Sequence, residues 1–166
     1  KYGSTAKLQP LYSTIVREVS ATPGVVSAAL VSNPPFSPSG IAAGPSNTTF
    51  EIEGRPTSKG ELAPMVDITV ASPEYFATVR QPLVAGREFT DHDDTDAMQV
   101  GIINQTMLRH RFSGMDPVGK RITFDHGSHW MTIVGVVGDV KEYGLEHPVG
   151  DEIYLPLKQA GFAGNL

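Results

Sequence analysis

Apolar residues recur in helical rhythm through the first twenty positions. Leu8, Leu11, Tyr12, Ile15, Val16 and Val19 are spaced three or one apart, one stripe of a 3.6-residue helix. Ser4 or Thr5 is available as its cap, and Pro23-Gly24 as its stop. The short apolar run Val25 to Val31 predicts a strand. Thr49 to Glu53 and Met65 to Val70 alternate polar and apolar residues, the period of half-buried strands, and the first ends at Gly54-Arg55-Pro56. Ser72-Pro73-Glu74 opens a short helix carrying Tyr75, Phe76 and Val79, with Ser as cap and Pro at the first helical position.

Further along, Val100 to Ile103 reads as a strand, with Asn104 placed to cap a helix bearing Met107, Leu108 and Phe112. Arg121 to Phe124 and Trp130 to Val137 flank Asp125-His126-Gly127-Ser128-His129, whose turn chemistry predicts a β-hairpin. Ile153-Tyr154-Leu155 forms a last strand. Three helices and seven or so strands in mixed order predict an α+β fold with largely antiparallel sheet. Tyr75, Phe76, Phe89, Phe112, Trp130 and Tyr154 are the large side chains expected to bury most apolar area. Between the first strands lies the longest irregular stretch, residues 33–47, with four prolines and two glycines. Loops of that length are commonly functional or disordered.

Composition narrows the functional classes. The 166 residues carry 17 Gly and 13 Pro, which favours short elements joined by many turns. Thirteen basic residues against 18 acidic give a net charge of −5, without the basic patch that nucleic acid or anionic lipid would require. The absence of cysteine excludes disulfides, thiolate metal sites and a Cys nucleophile. No apolar run approaches the ~20 residues of a membrane-spanning helix, and no signal-peptide pattern is present. The chain opens on Lys1 and is read as an excised piece of a longer protein.

Candidate chemistry is sparse. Asp91-His92-Asp93-Asp94-Thr95-Asp96 offers oxygen ligands for a hard cation, but lacks the Gly at position six and the Glu at position twelve of an EF-hand. A solvated loop with Asx turns explains it more simply. His126 and His129 near the hairpin tip lack an obvious third metal ligand. There is no Gly-x-Ser-x-Gly elbow and no nucleotide-binding P-loop. Gly135 to Asp139 reads as a strand that bends at Gly, and Gly114 to Lys120 as a tight turn. No catalytic, cofactor-binding or metal-binding residues are assigned.

These same turns carry a resemblance. Ser72-Pro73-Glu74-Tyr75-Phe76, then Pro82 to Thr90 with Asp93-Asp94 after it, resembles the periplasmic core domains of MacB-like permeases. Ile102 to Met107, Arg111 to Ile122, Ile133 to Val140, Tyr143-Gly144-Leu145 and Ile153 to Pro156 continue the likeness in order, as does the opening Pro23-Gly24-Val25 with Ala28-Ala29. The resemblance implies the extracytoplasmic domain (residues 1–166) of an ABC-transporter permease of the FtsX/MacB type in the bacterial inner membrane. It implies two lobes: a porter-like one from about residues 1–80 with the C-terminal strands, and a smaller mixed one over about 81–128. The implied partners are the parent's transmembrane helices, a cytoplasmic ABC ATPase acting through them, and a periplasmic adaptor. The domain would hold no cofactor, ATP being bound only by the separate ATPase. It would not be an enzyme, but would transmit ATPase-driven motion to cargo or adaptor.

Packing does not account for Pro34, Pro35, Phe36 and Ile41 in the irregular stretch. Pro35, Phe36 and Ile41 are the candidate cargo or adaptor contacts, with Phe36 the anchor. Two other readings stand beside this one: a peptide- or ligand-sensing domain, which a preformed apolar pocket would favour, and a hydrolase using Asp91 and His92.

Overall fold

The alternation read in Met65 to Val70 becomes the second strand from one end of an eight-stranded mixed sheet. In the computed structural model, which describes residues 5–35, 47–55, 57, 60–142 and 144–159, the elements are α1 (Thr5–Ser20), β1 (Asn47–Thr49), β2 (Glu51–Ile52), β3 (Met65–Ala71), α2 (Tyr75–Val79), β4 (Leu83–Gly86), β5 (Val100–Asn104), α3 (Gln105–Arg111), β6 (Arg121–Thr123), β7 (Met131–Val137), β8 (Glu152–Pro156) and a 3-10 turn, η1 (Leu157–Gln159). The strand order is β1-β3-β8-β5-β7-β6-β2, with β4 also on β7. Only β3–β8 and β5–β7 are parallel among the described pairings. The α+β class and the largely antiparallel sheet are as the sequence predicts.

The two ends of that path are neighbours in the chain. Asn47–Thr49 pairs with β3 and Glu51–Ile52 with β6. The strand expected over 49–53 therefore breaks at Phe50, and its halves join opposite edges of the sheet. Phe50, 1% exposed, turns inward at the junction. The curled face holds Phe50, Val66, Ile68, Ile103, Ile122, Ile133 and Ile153, closed over by Met107 and Phe112 from α3 and its C-terminal end. The opposite face holds Tyr75, Phe76, Phe89 and Tyr154. Phe76 meets Tyr154 edge to face at 5.1 Å and lies 5.8 Å from Phe89. Period-two alternation delivers this division: in β8, Ile153 and Leu155 face one core and Tyr154 the other.

Three further expectations are corrected. Val25 to Val31 is not a strand. It meets β3 in a single bridge, Val31 to Ala71, and Val26 is fully exposed. Serine hydroxyls take bonds that a paired backbone would otherwise make: Val70 N–H donates to Ser32 Oγ at 2.9 Å and Leu30 N–H to Ser72 Oγ at 3.1 Å. Ser72 is thus occupied and does not cap α2, whose Tyr75 N–H bonds the Ser72 carbonyl instead. Trp130 is half-buried on the surface, its ring under the Arg121 guanidinium at 5.5 Å. The α3 cap holds as predicted: Asn104 Oδ1 accepts the Met107 N–H at 2.8 Å. The short strand β4, mostly exposed, has no signature in the sequence.

Candidate functional site

The most reactive-looking sequence resolves into structure. Arg87 grips Asp93 with both terminal nitrogens at 2.8 Å, and the Thr90 N–H donates to the same carboxylate at 2.8 Å. The Arg87 guanidinium, with help from Thr90, holds the Asp93 carboxyl below the usual carboxylate range. Asp91 is taken by Lys158 at 2.6 Å, and Asp94 Oδ1 accepts the Asp96 N–H as an Asx turn. These acids splay apart onto internal partners, and no metal-holding group of three His, Asp or Glu occurs among the described residues. At the hairpin tip, His129 binds Asp125, whose carboxyl is pushed well down by that bond, while His126 faces Glu51. The two histidines are not brought onto a common centre.

The proline-rich excursion leaves and returns on one edge. Val31 pairs with Ala71 and Asn47 with Asp67, both antiparallel to β3, so the pairing register jumps by 12 residues between them. The chain between Val31 and Asn47 is therefore an insertion into the pairing along β3. Pro35 is half-buried at its root; Phe36 and Ile41 lie outside the described residues. Nearby, α1 covers the body incompletely. A groove of about 320 Å³ runs beneath it, walled by Tyr12, Val16, Leu30, Pro73 and Leu157, with Arg17 and Lys158 also lining it. On the adjacent flank of α1, Leu11, Ile15 and Val19 are exposed.

A second constellation was not legible in the sequence. Asp67 and Glu152 are register partners on the parallel strands β3 and β8. With Glu142, from the segment after β7, they line a narrow crevice. Glu152 is 3% exposed. Its Oε1 accepts from Thr69 Oγ1 at 2.9 Å and its Oε2 from the Tyr154 hydroxyl at 2.8 Å. Tyr154 in turn accepts from Gln81 Nε2 at 3.0 Å. Burial, reinforced by Glu142, pushes the Glu152 carboxyl up to about 8, and burial pushes Glu142 up to about 7. The one sequence signal was an acid, Glu152, set directly against the apolar strand residues 153–155.

The described residues form a curled mixed sheet with an aromatic second core and hold no group of three metal-ligating side chains. The sequence model of the MacB-like periplasmic core domain matches residues 8–165, and the chain belongs to that family of extracytoplasmic domains of ABC-transporter permeases. No curated protein matches the sequence. Among solved structures, the periplasmic region of MacB from Actinobacillus actinomycetemcomitans is similar, with a TM-score of 0.59 at 15% identity, over 90% of this chain and 56% of that one. The extracellular domain of the noncanonic ABC-type transporter YknZ from Gram-positive bacteria gives 0.57 at 17% identity, over 93% and 67%. A domain of a permease protein from Porphyromonas gingivalis gives 0.53 at 15%, over 86% and 56%. This chain thus spans little more than half of the MacB region it matches. No helix among the described residues is long and apolar enough to cross a membrane.

Proposed function

We propose that this domain is a non-catalytic, mechanically coupled body of its permease, moved when a separate cytoplasmic ATPase cycles and passing that motion to periplasmic cargo or an adaptor. The observation that carries the reading is how completely the charged loops are tied down. Arg87–Asp93, Lys158–Asp91 and Arg111–Asp151 fasten loops to a sheet with a core on each face. Such a body transmits displacement because its packed interior is hard to deform. In this reading the insertion carrying Pro35, Phe36 and Ile41 is the contact with cargo or adaptor, and the lobes divide at about residues 80 and 128.

The test uses the parent permease. Arg87→Ala with Arg111→Ala frees Asp93 and Asp151 from these clasps and loosens the body. The double variant is expected to reduce transport at least tenfold while ATP hydrolysis continues; undiminished transport overturns the reading. Phe36→Ala is expected to weaken adaptor or cargo binding at least tenfold, and unchanged affinity removes the insertion from the account.

The groove under α1 supports a second reading, a ligand-sensing domain. Its volume lies at the lower end of the range for small-molecule sites, and its walls set Tyr12, Val16 and Leu30 beside the charged Arg17, Glu74, Asp91 and Lys158. Binding of a peptide or small amphiphile that is lost in Val16→Arg, with transport intact in the Arg87→Ala, Arg111→Ala double variant, favours sensing over transmission.

A further inference from the structure

Of the segment from Gly138 to Gly150, residues 140–142 and 147–150 line the acidic crevice, and the segment is pinned at both ends. Gln81 Nε2 donates to the Gly138 carbonyl at 2.6 Å. Asp139 accepts the Thr106 N–H at 2.8 Å, the Thr106 hydroxyl at 3.0 Å and Arg109 at 2.9 Å. At the far end Asn104 Nδ2 donates to the Gly150 carbonyl at 2.8 Å. Between the pins, Lys141 donates to the His147 carbonyl at 2.7 Å, a bond within the segment itself.

The crevice beneath is built for a proton. Glu142 reaches it from the segment, Glu152 from β8 and Asp67 from β3. Both Glu152 oxygens already accept bonds, from Thr69 and Tyr154. Glu142 Oε1 is buried with no hydrogen-bond partner, as are the Tyr75 hydroxyl and Gln81 Oε1. Two carboxylates withdrawn from water into one crevice cannot both ionise cheaply, whereas a protonated one turns an acceptor into a donor. Lys141 brings a positive charge to the crevice wall, but its ammonium is turned onto the His147 carbonyl within the segment. Tyr75 and Tyr154 titrate far above neutrality, Asp67 adds negative charge, and Asp151 next door is held by His110 and Arg111 on α3. Lys141 and His147 line the crevice from the segment.

We propose that the segment Gly138–Gly150 is a proton-dependent latch, closed over Glu152 while Glu142 and Glu152 hold a proton between them and released when both are ionised. Both carboxyls are raised above the ordinary 4.5, to about 7 and about 8. Closure is therefore fully favoured below about 4.5, weakens as pH rises, and has lost its proton-linked support above about 8. The domain would stiffen this face in acid and loosen it in mild alkali, with the rest of the sheet unaffected. This holds whether or not the domain transmits motion.

Hydrogen exchange of the 166-residue chain between pH 5.5 and 8.5, corrected for the intrinsic rate, tests the latch. The opening constant of amides in 140–149 is expected to rise with pH by on the order of tenfold per unit over part of this range, while β5 amides at Ile102 and Ile103 stay constant. Glu142→Gln is expected to reduce that slope by at least half. A pH-independent opening constant, or β5 amides that move in parallel, overturns the proposal. The wild-type carboxyl-carbon titration by NMR needs no variant: two glutamates titrating above pH 6 support the latch, and midpoints all near 4.5 refute it.

Discussion

Gly86 and Gly135 stand directly opposite one another across the β4–β7 pair. A Cβ on Gly86 would lie 2.9 Å from the Gly135 Cα and closer still to the Val134 carbonyl, and a Cβ on Gly135 would run into the Arg87 carbonyl. Gly86 also has φ +73°, where other residues are strained. The two strands approach so closely only because neither carries a side chain here. Gly135→Ala is expected to lower the unfolding free energy by about 2–3 kcal/mol, measured by urea denaturation.

The Arg87–Asp93 clasp fixes the acidic loop. Because the native carboxyl lies below its ordinary 3.8, the clasp stabilises the fold above about pH 3.8, and that support is lost as pH falls through the native value. Asp93→Asn is expected to cost about 2 kcal/mol at neutral pH and to flatten the acid limb of a stability profile, the hydrogen bonds being to a buried charged group.

Exposure predicts where substitutions are silent. Val26, fully exposed, replaced by Ser is expected to leave stability within about 0.5 kcal/mol. Ile133, 0% exposed within the curled core, replaced by Ala is expected to cost about 3–4 kcal/mol. Thermal unfolding of the pair checks both.

Asn104 performs three tasks with one side chain. It caps α3, accepts the Glu152 N–H at 3.3 Å, and donates to the Gly150 carbonyl. Asn104→Ala is expected to cost about 2–3 kcal/mol, more than an ordinary cap, since buried groups lose partners together. Exchange of the α3 amides and of residues 148–150 should accelerate in the same variant.

Much of the fold was legible because its signals are local. The α1 helix, the Asn104 cap, the period-two strands and the hairpin at 125–129 depend on residues a few positions apart, although half of the α1 stripe, Leu11, Ile15 and Val19, is exposed. The ordered run of turns from Ser72 to Pro156 likewise carried the family likeness. What failed was non-local. Ser72 looked like a cap, but Leu30, 42 residues away, claimed its hydroxyl. Val25 to Val31 looked like a strand, yet it meets the sheet in the single bridge from Val31 to Ala71.

By itself the sequence determined most element types and the α+β class, which follow from short-range spacing and turn chemistry, and its ordered motifs carried the family likeness. Only the tertiary structure decided that residues 47–52 join both edges of the sheet, that the Asp91–Asp96 run is consumed by internal partners, and that Asp67, Glu142 and Glu152 share one crevice. Those outcomes depend on which strands become neighbours. That choice is made by the burial of whole faces against one another, which no single stretch of chain encodes.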